Sequence, residues 1–89
     1  MINAIVFVHA DVSSISEVAE QIAAIPGVTE VYSVTGQIDL IAVVRVKQID
    51  DVSSVVADQL NKVPGVLGTE THIAFRTFSR HDLEAAFSL

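Results

Sequence analysis

Three histidines are the most versatile acid–base and metal-binding side chains in this 89-residue sequence. None of His9, His72 and His81 lies three or four positions from another, so the local spacing of zinc ligands is absent. His9 and His72 fall in predicted strands and could approach each other across a sheet. A metal or acid–base role for this pair therefore stays open, beside the simpler interpretation that each is hydrogen-bonded or exposed.

Other catalytic chemistry receives little support. A nucleophilic Ser or Thr needs a base and an orienting acid beside it. The serines instead cluster at predicted helix starts, where capping explains them (Ser13, Ser14, Ser16, Ser53, Ser54). Cysteine is absent, and four scattered glycines cannot form a phosphate or dinucleotide loop. We expect no catalytic residue, no metal ligand and no cofactor.

Two acidic positions remain informative. The adjacent pair Asp50-Asp51 is explained by a helix N-terminus, whose dipole favours negative charge. Asp39 and Glu70, in contrast, lie close to predicted strand ends and turns.

The charge balance excludes whole classes of partner. The formal net charge is −6, whereas binding to phosphate backbones requires a surplus of Lys and Arg. The basic residues are scattered and form no run (Arg45, Lys47, Lys62, Arg76, Arg80). No apolar run approaches the roughly 20 residues that span a bilayer, and no secretory signal is recognisable. We expect a cytoplasmic protein that contacts neither nucleic acid nor membrane directly.

Two Pro-Gly pairs divide the chain into similar halves. Ala-Ile-Pro-Gly-Val at residues 24–28 is echoed by Lys-Val-Pro-Gly-Val at residues 62–66. The residue before a proline avoids the α region and glycine accepts positive φ, so each pair ends a helix. Each pair also precedes a strand-like segment, which predicts two equivalent helix-to-strand joints.

Apolar periodicity predicts one helix in each half. The first helix carries an apolar stripe at i, i+3, i+4, i+7 and i+8 (Ile15, Val18, Ala19, Ile22, Ala23). At its start, Ser14 and Glu17 have the spacing of a capping box. The second has one apolar face and Asp50 or Asp51 as its predicted cap (Val52, Val55, Val56, Leu60, Val63).

Strand patterns fill the remaining chain, at residues 2–9, 28–35, 40–46 and 66–78, with a Gly-containing hairpin turn at 35–39. A domain of residues 1–78 follows, with a tail at 79–89 that could form a short helix capped by Ser79. The order predicts an α+β, ferredoxin-like βαββαβ fold: an antiparallel four-stranded sheet with two helices on one face.

The two central strands predict self-association. Residues 4–8 and 40–44 are apolar without alternation, although a sheet with one wet face should alternate. Two helices cover only one face, so a second copy related by a two-fold axis is expected to cover the other, as a dimeric barrel or sandwich. Partial coverage by the C-terminal helix is the alternative.

A family resemblance is carried by Tyr-Ser-Val-Thr-Gly-Gln-Ile-Asp-Leu-Ile at residues 32–41. This stretch resembles the Val-Thr-Gly-x-x-Asp-hydrophobic-hydrophobic segment of the effector-binding (RAM) domain of Lrp/AsnC transcription regulators. Both Pro-Gly joints, the Ile49-Asp50 helix start and the Thr69-Glu70-Thr71 segment fall where that domain has them. The resemblance extends from residue 2 to about residue 77.

The resemblance implies dimers that assemble further into rings, with an amino acid or related metabolite bound between dimers. By position it places Thr35, Gly36 and Asp39 on the effector hairpin, with Thr69 and Thr71 contributing hydroxyls nearby. In the full-length regulators a DNA-binding domain precedes the effector-binding domain, whereas in this sequence the first predicted strand already begins at residue 2. The chain is therefore expected to resemble the stand-alone form, and to act by mixing with full-length regulators.

Two other functions stay open. A dimeric α+β barrel enzyme, such as a small monooxygenase or isomerase, would use His9, Tyr32, Asp39 and His72, in a cavity between the sheet and the helices. A pure assembly protein would bury the hairpin and bind no ligand.

Overall fold

A computed structural model of the chain describes residues 1–80 and confirms the βαββαβ order of a ferredoxin-like α+β fold. The elements are β1 (Ile2–Ala10), α1 (Ile15–Ala23), β2 (Val28–Ser33), β3 (Leu40–Val46), α2 (Ile49–Val56) and β4 (Val66–Ile73), with a 3-10 turn at Leu60–Lys62. The strands form one antiparallel sheet in the order β2-β3-β1-β4. In residues 1–80 no helix has the length and apolar character needed to cross a membrane.

The core lies between the sheet and the two helices. Alternate residues of β1 and β3 point into it and are buried (Ala4, Val6, Val8, Ala10; Leu40, Ala42, Val44, Val46). The helices contribute the inward stripes that periodicity predicted (Val18, Ile22; Val52, Val55, Val56). No described residue with a polar or charged side chain is buried, so the core is held by apolar packing.

The opposite face of the sheet is apolar at its centre, and neither α1 nor α2, the two described helices, lies over it. The register pairs Ile5 with Val43 and Phe7 with Ile41, which places these four side chains on one face. We call this surface the open face. Its four central residues are only half-covered or exposed, and Ile5 retains 38% of its accessible area. The central strands are apolar at every position, but only the residues that face the helices are buried, and those on the open face are half-covered or exposed.

The start of α1 differs from the prediction. Ser14 precedes the helix, but its side chain makes no capping hydrogen bond, so the predicted capping box with Glu17 is wrong. The polar contacts at this turn belong to Asp11, whose Oδ1 accepts the Ser13 N–H at 2.9 Å and the Ser13 hydroxyl at 2.8 Å. These two bonds stabilise the carboxylate and lower the pKa of Asp11.

The second helix also differs at both ends. Gln48 is its N-cap, and Asp51 stands at the third helical position, where its carboxylate accepts the Gln48 N–H at 3.2 Å. Asp51 therefore helps to cap the helix, as predicted, but from its third position within the helix, and the N-cap residue itself is Gln48 and not Asp50 or Asp51. The helix ends at Val56, and Leu60 reaches the core from the separate 3-10 turn.

Strand β4 ends at Ile73 and not at residue 78, where its pairing with β1 also ends. Ile73 is the last residue in register, opposite Ala4, and one more bond follows from Ala74 N–H to the Asn3 carbonyl at 2.9 Å. β2 likewise ends at Ser33, two residues earlier than predicted. The predicted tail helix falls almost wholly on residues 81–89, outside the described part of the chain.

The two Pro-Gly joints pack against the helices. Gly27 and Gly65 have φ of +99° and +98°, a region that favours glycine. Gly27 follows α1 but approaches Val55 of α2, whereas Gly65 follows α2 but approaches Val18 of α1. Each joint therefore fits the helix of the other half, and this crossed contact ties the two halves together.

The joint at Gly65 predicts a measurable asymmetry between glycines. An added Cβ at Gly65 would lie 2.6 Å from Cγ2 of Val18, a fully buried residue whose rotamer is restricted in a helix. At Gly36, with φ of +109°, the same atom would meet open space.

We expect Gly36→Ala to lower the free energy of unfolding by about 1–2 kcal/mol through backbone strain alone. Gly65→Ala should lose about 1–3 kcal/mol more through overpacking. Urea unfolding at equal protein concentration measures both, and equal losses would contradict the packing at this joint.

Candidate functional site

The β2–β3 hairpin is held to the end of β1 by Asp39. Asp39 accepts the Val34 N–H on its carbonyl at 3.0 Å and donates its own N–H to the Val8 carbonyl at 3.0 Å. Its carboxylate Oδ2 accepts the Ala10 N–H at 2.9 Å. The other carboxylate oxygen has no hydrogen-bond partner among residues 1–80. Asp39 thus anchors the turn and retains one acceptor for another group.

Thr35 and Gly36 form the exposed tip of this hairpin. The positive φ of Gly36 favours glycine, while the space around it is empty to 4 Å. Backbone conformation therefore explains the glycine, and the peptide groups of the tip are open to approach by a ligand or a second chain.

The two β4 threonines are placed differently from each other. Both point to the helix side, because Thr69 pairs with Val8 and Thr71 with Val6. Thr69 lies across β1 from Asp39, about two strand spacings or roughly 10 Å away. Its hydroxyl donates to Asn61 Oδ1 at 2.7 Å. Thr71 is two residues farther along the strand, so within one protomer it does not reach the hairpin.

An apolar groove between α2 and β4 was not predicted from the sequence. It has a volume of about 310 Å³ and is lined by Ile49, Val52, Ser53, Val56, Ala57, Thr71 and Ile73. We call it the α2–β4 groove. The sequence hints at this groove only through Ile49, an apolar residue at the helix start that is left 55% exposed.

The possible His9–His72 pair is not formed. The register sets His72 opposite Ile5 and His9 opposite Gly68, so the two lie four residues apart along β1, roughly 13 Å. The His72 ring packs instead on Phe7, with centroids 5.0 Å apart, and its Nε2 lies 3.7 Å from Glu70 Oε1. No cluster of three His, Asp or Glu side chains in residues 1–80 could hold a metal ion.

The remaining candidates for an enzyme are also dispersed. Tyr32 is half-exposed on the open face, where its hydroxyl donates to Glu30 Oε2 at 2.6 Å, and this bond raises the pKa of Tyr32. Asp39 is engaged with the end of β1. The α2–β4 groove contains neither a histidine nor an acid. The described residues therefore do not assemble an acid–base pair in a cavity.

Comparison with known sequences gives one consistent family. The profile of the Lrp/AsnC ligand-binding domain matches residues 3–83. The HTH-type transcriptional regulator PH1916 of Pyrococcus horikoshii is 46% identical over 61 residues, which cover 68% of this chain and 41% of the regulator. This chain spans less than half the length of the curated relatives it matches.

Two solved structures share the fold of this chain. TTHA0845 from Thermus thermophilus superposes with a TM-score of 0.85 at 41% identity, covering 90% of this chain and all of that one. The transcriptional regulator NMB0573 of Neisseria meningitidis, solved in complex with L-Met, gives a TM-score of 0.79 over 89% of this chain and 53% of its own. At 17% identity, the Neisseria structure shows a shared fold alone.

The hydrogen bond from Ala10 to Asp39 can be tested by substitution. Asp39→Ala leaves the Ala10 N–H without its partner, and we expect the free energy of unfolding to fall by about 1–2 kcal/mol. Asp39→Asn keeps an acceptor oxygen and should lose less than half of that. Urea unfolding measures both variants, and an Asp39→Ala variant as stable as the parent would contradict this anchoring role.

Proposed function

This chain belongs to the Lrp/AsnC ligand-binding domain family, and on that premise we propose that it is a small-molecule effector-binding and oligomerisation module involved in transcription regulation. The family match over residues 3–83 is the observation that carries the proposal. Its relatives are named as transcriptional regulators, which favours a regulatory role over an enzymatic one.

The proposed effector is an amino acid or a related small metabolite, bound at the hairpin by Thr35, Gly36 and Asp39. The uncommitted oxygen of Asp39 suits an α-ammonium group, since charge-assisted hydrogen bonds are the stronger kind. The open tip at Gly36 allows backbone N–H groups to meet a carboxylate. The L-Met complex of the Neisseria regulator, a protein of the same fold, supports this ligand class.

Thr69 and Thr71 complete the proposed site only if a second dimer is present. Thr71 points to the helix side of the edge strand β4, away from the hairpin of its own protomer. A hairpin and a β4 edge from neighbouring dimers could enclose one ligand together. The proposed assembly is therefore a homodimer that associates further into a ring of dimers, and full-length regulators of the family could join it.

The open face supports the homodimer. Its central side chains are apolar and no element of residues 1–80 covers them (Ile5, Phe7, Ile41, Val43). Packing against the same face of a second copy removes this surface from water, at about 25 cal/mol per Å² of apolar area. A two-fold axis makes the contact self-complementary.

Ligand binding is tested by calorimetric titration of the protein with a panel of the twenty amino acids, while light scattering follows oligomer size. We expect at least one amino acid to bind and to shift the size distribution, because a regulating ligand must prefer one assembly state. Asp39→Asn, which retains the anchoring acceptor, should weaken binding roughly 10-fold or more through loss of charge. If no amino acid binds and the size never responds, the sensing role fails.

The dimer is tested by placing a charge on the open face. Ile5→Glu leaves the helix-side core untouched, but in a dimer it would bury a carboxylate without a partner, so we expect sedimentation to show monomers. Val12→Glu is the matched control, because Val12 is 83% exposed in the loop before α1. An Ile5→Glu variant that sediments like the control, with an unchanged circular dichroism spectrum, would contradict the interface.

A further inference from the structure

A cleft lies at one end of the open face, beside the segment that follows β4. Its volume is about 410 Å³, within the range of small-ligand sites. The segment after β4 lines it together with residues of β1, β2 and β3 (Asn3, Ile5, Thr29, Glu30, Val43, Arg45, Ala74, Arg76, Thr77). One hydrogen bond, from the Ala74 N–H to the Asn3 carbonyl at 2.9 Å, holds this segment on its own protomer.

Two of the five basic residues of the chain meet at this cleft. Arg45 stands opposite Asn3 in the register of β3 and β1, whereas Arg76 comes from the segment after β4. Neither guanidinium forms an ion pair with a carboxylate of residues 1–80. Two unpaired cations that share one cleft repel each other, and an anion bound between them replaces this repulsion by attraction.

The one acid at the cleft is engaged elsewhere. Glu30 Oε2 accepts the Tyr32 hydroxyl at 2.6 Å along the same strand, and Glu30 pairs with neither arginine. The cleft therefore combines two positive charges with one negative charge, in a chain whose formal net charge is −6. A local excess of positive charge in a concave surface concentrates anions there.

The remaining lining suits a short carbon chain. Ile5, Val43 and Ala74 supply apolar surface, while Asn3 and the two threonines supply an amide and hydroxyl groups. A guanidinium group binds a carboxylate through paired, charge-assisted hydrogen bonds. Two guanidiniums with apolar surface in the same cleft therefore fit an anion whose carboxylates are separated by a hydrocarbon segment.

We propose that this cleft binds a small dicarboxylate, with one carboxylate on Arg45, the other on Arg76 and the carbon chain over Ile5 and Val43. The site is distinct from the hairpin, because Arg45 and Asp39 are six positions apart along β3, roughly 20 Å. The inference therefore does not depend on the proposed amino-acid site.

The cleft adjoins the proposed dimer interface without coinciding with it. Ile5 and Val43 belong to both surfaces, and the other lining residues lie outside the four central side chains of the open face. Binding in the cleft is accordingly measured on the parent protein in whichever assembly state it adopts.

Succinate is the probe, and butyrate, which has the same carbon chain but only one carboxylate, is the matched control ligand. An amide-resonance titration of isotope-labelled protein gives both the dissociation constant and the residues affected. We expect succinate to shift the resonances of Asn3, Arg45 and Thr77 and to leave those of Thr35 and Gly36 unchanged. Succinate should bind about 10-fold more tightly than butyrate, since it makes one more charge-assisted contact.

Charge-neutralising variants test the roles of the side chains. Arg45→Gln and Arg76→Gln should each weaken succinate binding about 10-fold, whereas Glu30→Gln should strengthen it about twofold by removing a like charge. Lys62→Gln is the matched control, because it removes the same charge from an exposed position on the 3-10 turn, outside the cleft. It should change the dissociation constant less than about twofold, since distant exposed charges are screened.

Three results would overturn the proposal. The first is a titration in which succinate shifts no resonance of the cleft, or shifts the hairpin alone. The second is an equal affinity for succinate and butyrate, or for succinate and sulfate, a dianion without a carbon chain. The third is a Lys62→Gln variant that loses as much affinity as Arg76→Gln, which would show that overall charge, and not the cleft, attracts the anion.

Discussion

Two helices can cover one face of a four-stranded sheet, but the central strands of this sheet are apolar on both faces. Along β1 the buried Ala4, Val6 and Val8 alternate with Ile5 and Phe7 of the open face. A chain of 89 residues buries only about 60–65% of the surface of its unfolded form, so its own core is small. The proposed self-association and the proposed ligand site between dimers both depend on this apolar face, which no helix of the described residues covers.

Local sequence signals predicted most of the fold. β3 was predicted with its observed bounds, and the two Pro-Gly pairs marked the starts of β2 and β4, because proline and glycine act through their own backbone geometry. The ends decided by neighbours were missed. β4 stops where its pairing with β1 stops, earlier than predicted. The residues before each helix use other capping contacts than those predicted, since spacing alone cannot say which side chain turns back onto the backbone.

The candidate site was predictable only in part. The hairpin and the place of Asp39 within it follow from short-range turn chemistry and from family resemblance. The positions of the other candidate residues depend on strand register, which no local sequence pattern reveals. Register separates His9 from His72 and sends Thr71 to the α2–β4 groove, which is itself made by residues about twenty positions apart. A domain whose site is shared between dimers would leave such an incomplete set of ligand residues on each protomer.

Contact between the open faces of two copies is the interaction from which the proposed assembly follows. Isotope-filtered nuclear Overhauser spectroscopy on an equal mixture of labelled and unlabelled protein tests it most directly. We predict intermolecular contacts that connect the Phe7 ring with the methyl groups of Ile5, Ile41 and Val43 of the other copy. A spectrum of the folded protein at high concentration without any intermolecular contact to these four side chains would show that the open face is not an interface.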